Sequence, residues 1–343
     1  MNDPGGPAAP LPRRRLGQSG VFVTEMAFGG AAIGNLYRAV GDEDARAAVD
    51  AAWDGGIRMF DTAPHYGLGL SERRLGRALR DRPRDSYVIS TKVGRVLDPA
   101  APAGPGAGTG TDGFAVPDSL VRRWDFSADG VRRSLEDSLG RLGLDRVDVV
   151  LIHDPDDFGE QALTQAYPAL EKLRGEGVVR AIGAGMNQWE MLARFVRETD
   201  VDAVLVAGRY TLLDQSASAE LLPAAARRGV SVLAGGVFNS GILAAPVAGA
   251  TYDYTRASSS LVARALELES ACGRHGVPLR AAAARFPLRH PAVASVLIGA
   301  RGAAEIEDAL RLRRLDIPEG LWTALAAAGV DPASARHPGG DAR

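Results

Sequence analysis

The stretch "SADGVRRSLEDSLGRLGLDRVDVVLIHDPD", residues 127–156, holds a helix and a strand back to back. Ser127 is a capping residue type, and Val131, Leu135, Leu139 and Leu142 recur at helical spacing until Gly143 closes the run. The apolar run 147–152 (VDVVLI) then reads as a strand. Working outward, the same alternation repeats. Strands are predicted over 22–28, 57–60, 87–92, 147–152, 178–184, 203–207, 230–234 and 293–298. Helices are predicted over 43–55, 71–80, 128–142, 162–175, 188–198, 216–228, 258–275 and 303–312. Eight strand-plus-helix units without a break in composition predict an α/β fold, a single-domain (β/α)8 barrel. An open doubly wound sheet is the rival architecture. The glycines at 29, 30 and 34 have the wrong spacing for its G-x-G-x-x-G fingerprint, which counts against it.

A chain of 343 residues fits one such barrel. Its net charge of −2 gives no basic field for nucleic acid or an anionic membrane. The single cysteine, Cys272, excludes a disulfide framework and a Cys-based zinc site, and the histidines form no H-E-x-x-H pattern. No metal is therefore expected. The opening "MNDPGGPAAPLPRRR" lacks an apolar run after its charges, and no stretch of 18 apolar residues occurs, so a cytoplasmic location is the expectation. Residues 98–117, rich in Gly, Ala and Pro, are expected to form a mobile loop. Residues 1–13 and 333–343 are expected to be tails around a barrel spanning 14–332.

In a (β/α)8 barrel, side chains at the C-terminal ends of the strands converge on one rim. Asp61 follows the second predicted strand, Lys92 ends the third and His153 follows the fourth; Tyr66 lies five residues beyond Asp61. A phenol alone is a poor base at neutral pH. A nearby ammonium favours the phenolate, a carboxylate keeps that ammonium charged and aimed, and an imidazole can orient a substrate oxygen. Each residue has a plain structural reading by itself: turn cap for Asp61, packing for Tyr66, surface for Lys92, loop for His153. Joint placement at one rim is what favours proton-transfer chemistry. Glu72 reads as a capping-box partner or a buried anchor, and His65 as a neighbour that shapes the loop.

These residues resemble those of the aldo-keto reductase family. The resemblance is carried by "FDTAPHYGLGLSERRLG", "ISTKVG", "SLEDSLGRLGLDRVDVVLIHDPD", "AIGAGMNQ" and "VLIGARGAAEIEDAL", from Arg15 to Leu312. "GRYTLLDQ", "GVSVLAGGVFNSGILA" and "FPLRHPAVASVLIGAR" are similar to the branch that oxidises aldoses such as L-fucose at C1, and to its pyridoxal-oxidising relatives. The resemblance implies a barrel that binds NAD(P) at its rim without a Rossmann domain. Tyr66 would be the general acid/base, tuned by Lys92 and Asp61, with His153 orienting the substrate oxygen. Asn187 would hold the nicotinamide carboxamide. The loop carrying Val237, Phe238, Asn239 and Gly241 would meet the pyrophosphate, and Gly299, Ala300 and Arg301 the adenosine phosphate.

Departures from the family pattern matter. Ala207 stands where a glutamine is common, so Arg209 or Tyr210 is expected to frame the nicotinamide. Glu305 stands where NADP-preferring members are basic, and Ala309 where they have asparagine. A carboxylate there repels a 2′-phosphate and favours NAD, while Arg301 pulls the other way. Trp124, Asp125 and Phe126 are candidate substrate walls, with simple loop packing as the other reading; Tyr252 and Tyr254 could line the mouth. The expected activity is hydride transfer between nicotinamide and an aldose, giving the lactone. A general NADPH-dependent aldehyde or ketone reductase, a pyridoxal 4-dehydrogenase-like enzyme and a cofactor-bound regulatory subunit are the alternatives. The only partner expected is a small-molecule substrate.

Overall fold

The computed structural model describes residues 11–100, 112–117 and 119–330. Residues 1–10 and 333–343 of the expected tails and 101–111 of the expected loop lie outside the described residues, as do 118, 331 and 332. Eight parallel strands close a barrel: β1 (Met26–Gly29), β2 (Met59–Asp61), β3 (Val88–Val93), β4 (Val149–His153), β5 (Ala181–Met186), β6 (Ala203–Ala207), β7 (Ser231–Gly235) and β8 (Val293–Gly299). Sequence order is spatial order, β8 closing on β1. Around them lie α1 (Asp42–Asp54), α2 (Leu70–Leu79), α3 (Ala128–Leu142), α4 (Tyr167–Gly175), α5 (Trp189–Glu198), α6 (Leu221–Arg228), α7 (Ser259–Arg274) and α8 (Ala303–Arg313).

The strands are apolar on both faces because both faces are covered, as parallel sheets require. Leu16, Met59, Val149, Leu151, Ala203 and Leu233 belong to the layer inside the barrel. Phe28, Phe60, Val150, Ile152, Val204 and Val232 belong to the larger layer shared with the helices. α3 is bounded as its sequence predicts. Ser127 Oγ accepts from Gly130 N at 3.0 Å, and Gly143 ends the helix at φ 63°.

Five features differ from the sequence reading. The run 22–28 divides at Glu25: Phe22–Thr24 pairs antiparallel with Arg13–Arg15, and only Met26–Gly29 joins the barrel. The helix predicted from 216 starts at Leu221, and the one from 162 opens with a wider turn, Ala162–Ala166, before α4. Two helices, Leu279–Arg285 and Glu319–Ala327, lie outside the eight units. Finally, Arg95–Pro99 pairs antiparallel with Leu120–Trp124, building a hairpin that rises from the end of β3.

Candidate active site

Strand register sets the rim. Asp61 is the last residue of β2 and pairs with Ser90. Lys92 is next to last in β3 and pairs with Leu151; His153 ends β4 and pairs with Gly185. Lys92 Nζ donates to Asp61 Oδ2 at 2.7 Å, to Thr62 O at 2.9 Å and to Tyr66 Oη at 3.1 Å. All three ammonium protons are thereby used, one of them on the phenol. Asp61 also accepts from Ser90 Oγ at 2.5 Å, so its carboxylate is fixed from two sides. Glu72 is the buried anchor rather than a capping partner: fully enclosed, it accepts from Thr91 Oγ1 at 2.7 Å and Arg141 Nε at 2.6 Å.

The electrostatics follow from burial and from these contacts. Burial pushes the Tyr66 phenol up to about 12, with Lys92 pulling against it. For Lys92, burial opposes the charge, but Asp61 and Tyr66 outweigh it and hold the ammonium above the usual lysine range. At neutral pH the pair is therefore a protonated phenol touching a permanent cation. Burial, reinforced by Arg95 and Lys92, keeps His153 neutral. Its ring stands edge-on to Tyr66, centroids 5.9 Å apart. Nδ1 is enclosed without a hydrogen bond, and Nε2 lies 3.5 Å from Asp154 Oδ2. His65 is likewise neutral, its pKa pushed by burial and Arg95 to about 2, and it accepts from Arg95 Nη1 at 2.9 Å through Nδ1.

Two adjoining cavities open at this rim. The first, about 390 Å³, is lined by Tyr66, His153, Asn187, Arg95, Asp154, Trp124 and Phe158 among others. The second, about 460 Å³, is a groove over the ends of β7, β8 and β1, lined by Gly29, Gly30, Gly235, Gly236, Val237, Phe238, Ser240, Gly241, Gly299, Arg301 and Glu305. Tyr66, Ala207 and Tyr254 border both. The groove fits a nicotinamide dinucleotide. Glycines 29, 30, 235, 236, 241 and 299 leave stretches of its wall as bare backbone, and a Cβ at Gly241 (φ 110°) would meet no atom within 4 Å. Arg301 Nε is buried there without a hydrogen bond, as suits a group awaiting an anion.

Of the residues expected to face a cofactor, Val237, Phe238, Gly241, Gly299, Arg301 and Glu305 line the groove. Asn187 lines the first cavity, where its side chain bonds Tyr254. Asn239 turns inward instead and donates to Gly208 O at 3.0 Å, pinning the loop. The Ala300 side chain is buried in the core. Tyr210 is not brought to the mouth: its ring is drawn into the apolar layer against Phe286, 5.0 Å between centroids. Arg209 pairs with Asp253 at 2.7 Å and lines neither cavity; Tyr254 borders both cavities with Ala207 instead.

On the substrate side, Trp124 lines the first cavity. Phe126 does not reach it; it is wholly buried behind Trp124, ring stacked on ring at 5.7 Å. Asp125 is not a wall either, because its carboxylate accepts from Ser127 N and Oγ at the start of α3. Tyr252 donates to Asp214 at 3.0 Å. Sequence reasoning missed Arg95, Phe114, Asp154 and Phe158, all at the first cavity, and Tyr37 at the groove. Only Asp154, directly after His153, carried a signal. Among the described residues, no group of three or more His, Cys, Asp or Glu could hold a metal ion, and no helix is long and apolar enough to cross a membrane.

Residues 25–328 match the aldo/keto reductase family. The chain is 47% identical to D-threo-aldose 1-dehydrogenase of Pseudomonas sp, over 92% of this chain and 96% of that one. It is 41% identical to pyridoxal 4-dehydrogenase of Microbacterium luteolum, over 93% and 97%. L-galactose dehydrogenase of Arabidopsis thaliana shares 31% identity over 86% of each. Among solved structures, an aldo-keto reductase from Bacillus halodurans in its holo form superimposes with a TM-score of 0.72 at 24% identity, covering 92% of this chain and 96% of that one, a likeness of fold.

Proposed function

The chain belongs to the aldo/keto reductase family, NAD(P)-dependent oxidoreductases built on a (β/α)8 barrel, and on that premise we propose that it oxidises aldoses at C1 to their lactones. The observation that carries the reading is the Lys92 ammonium held between Asp61 at 2.7 Å and the Tyr66 phenol at 3.1 Å. A bound nicotinamide dinucleotide supplies the two-electron acceptor for the sugar. Asn187 and Tyr254 hold its nicotinamide end, the loop bearing Val237, Phe238 and Gly241 its middle, and Gly299, Arg301 and Glu305 its adenosine end.

The chain's own residues handle the proton. Tyr66, in the phenolate form that the ammonium beside it stabilises, takes it from the C1 hydroxyl as the C–H electron pair leaves for the acceptor, and becomes the phenol. Asp61 keeps that ammonium charged and aimed. His153, neutral and with Nδ1 enclosed, presents Nε2–H to the same substrate oxygen and fixes it against the phenol. Trp124, Phe158 and Phe114 wall the cavity and thin out water around the reacting centre. In the reverse direction Tyr66 returns the proton to a carbonyl oxygen.

NAD is the preferred cofactor on this reading. Glu305 occupies the adenosine end of the groove, where it accepts from Arg301 N at 2.9 Å and sets a carboxylate against any 2′-phosphate. The 41% identity to a pyridoxal-oxidising enzyme favours pyridoxal as a second substrate class to assay. The test is the rise of the reduced-nicotinamide absorbance when the purified chain meets NAD+ or NADP+ with L-fucose, L-galactose, D-arabinose or pyridoxal. Reduction of NAD+ by the sugars supports the proposal. Silence with every sugar, together with NADPH-dependent reduction of simple aldehydes, overturns it. Silence in both directions leaves a cofactor-bound regulatory role.

A further inference from the structure

We propose that Asp154 and Arg95 form the sugar-reading element of this site, Asp154 taking the hydroxyl at C2 and Arg95 the one at C3, with Trp124 as the adjoining wall. The inference rests on the aldose reading above. It starts from the hairpin, where Arg95 and Trp124 are cross-strand partners, the guanidinium 4.2 Å from the indole centroid. That stacking fixes the plane of the guanidinium. Nη2 donates to Asp154 Oδ2, Nη1 reaches His65, and Nε is buried without a hydrogen bond. The group is held, yet not all of its donors are used.

Asp154 is the residue at which the chain leaves β4. It adopts φ 43°, a left-handed backbone rare outside glycine, tied by its N–H to Gly185 O at 3.0 Å. That turn brings the carboxylate back beside His153, with Oδ2 3.5 Å from Nε2. A simple strut between hairpin and barrel would be sealed on all sides. Here the Asp154 side chain is still 27% exposed and the Arg95 side chain 12%, and both line the first cavity.

The result is an acceptor and a donor side by side next to the reacting oxygen. A vicinal diol matches such a surface, since one hydroxyl donates to the carboxylate and its neighbour accepts from the guanidinium. With O1 between Tyr66 and His153, the nearest further hydroxyl is O2, which falls to Asp154; O3 follows outward to Arg95. An aldehyde without hydroxyls would strip water from this pair and give nothing back, so the same element discriminates against it.

The test is a cycle of two proteins and two sugars, read as kcat/KM for L-fucose and 2-deoxy-L-fucose with the wild-type chain and Asp154→Ala. The wild type should lose about 10- to 100-fold on the deoxy sugar, the range for a hydrogen bond to a charged group. In the variant that penalty should shrink to within about 3-fold, because the hydroxyl and the carboxylate are lost as one unit. Arg95→Met with the 3-deoxy sugar gives the matching cycle for O3, and Asp154→Asn serves if the alanine variant does not fold. Losses that simply multiply overturn the proposal, since an indirect structural role would impose them on both sugars alike. No loss on the deoxy sugar by the wild type overturns it as well, and in both cases aldose oxidation by the wild type stands. A wild type that oxidises no aldose removes the aldose reading and this proposal with it.

Discussion

At the scale of single residues, the proposed chemistry turns on one phenol. Its pKa, pushed up to about 12 by burial with Lys92 opposing, keeps Tyr66 a protonated phenol at neutral pH, the form that reduction needs, with little phenolate present to accept a proton. Oxidation needs the phenolate character that higher pH supplies, so the oxidation rate should climb from neutral into alkaline pH while reduction should not. Tyr66→Phe should bind cofactor, as read by fluorescence quenching, yet lose about 10²- to 10⁴-fold in turnover along with that climb. A second consequence concerns stability. His65 has a folded pKa of about 2, against roughly 6.5 in an unfolded chain. Below pH 6.5 the unfolded chain binds a proton that the folded one refuses, so stability falls with pH by up to about 1.4 kcal/mol per unit from this residue. His65→Asn should flatten the acid limb of a plot of unfolding midpoint against pH. Asp61, Lys92 and His153 were legible in the sequence because each lies at or beside the end of an apolar strand. Arg95 was not, because it opens a hairpin with no such signature.

At the scale of elements, the barrel strands are legible because burial on both faces leaves unbroken apolar runs, as in Val149–His153 and Ser231–Gly235. In the hairpin Arg95–Pro99 with Leu120–Trp124 only Val96 and Leu97 are buried, and its second strand reads LVRRW, so neither alternation nor apolar length marks it. The groove loops were legible only in part. Asn239 and Tyr210 were expected beside the cofactor, but polar satisfaction drew one inward and aromatic packing the other. The joint between β3 and the hairpin is Gly94, at φ 104°, whose carbonyl accepts from Asp125 N at 3.0 Å. A Cβ there would meet the Phe126 ring at 2.3 Å, and Phe126 backs Trp124. Gly94→Ala should therefore cost about 1–3 kcal/mol of stability. Because the wall moves with the ring, it should also raise KM for an aldose more than KM for a small aldehyde, which steady-state assays of both substrates would reveal.

At the scale of the whole molecule, the barrel separates function from support along its axis. Every residue proposed for catalysis or binding lies at the C-terminal ends of the strands, in the loops beyond them or, for Glu305, in the first turn of α8, as barrel architecture favours. The opposite end is closed by the short hairpin Arg13–Arg15 with Phe22–Thr24. Arg14 Nη1 there donates to Val293 O at 2.8 Å, and Glu25 bonds both Arg14 Nε at 2.9 Å and Arg313 at 2.8 Å, tying the hairpin to β8 and α8. Leu16, in the turn of that hairpin, is fully buried and plugs the inner layer together with Val21, Val23 and Ala27. Truncating it removes three buried carbons where closely packed strands cannot collapse, so Leu16→Ala should cost about 2–5 kcal/mol. None of its packing reaches the rim, so kcat and KM measured well below the unfolding transition should stay within about twofold of wild type. Lowered denaturation midpoints with unchanged kinetics would bear out the division of labour. A parallel loss of turnover would mean that strain at the closed end reaches Lys92 through the strands, and that the two ends of the barrel are coupled.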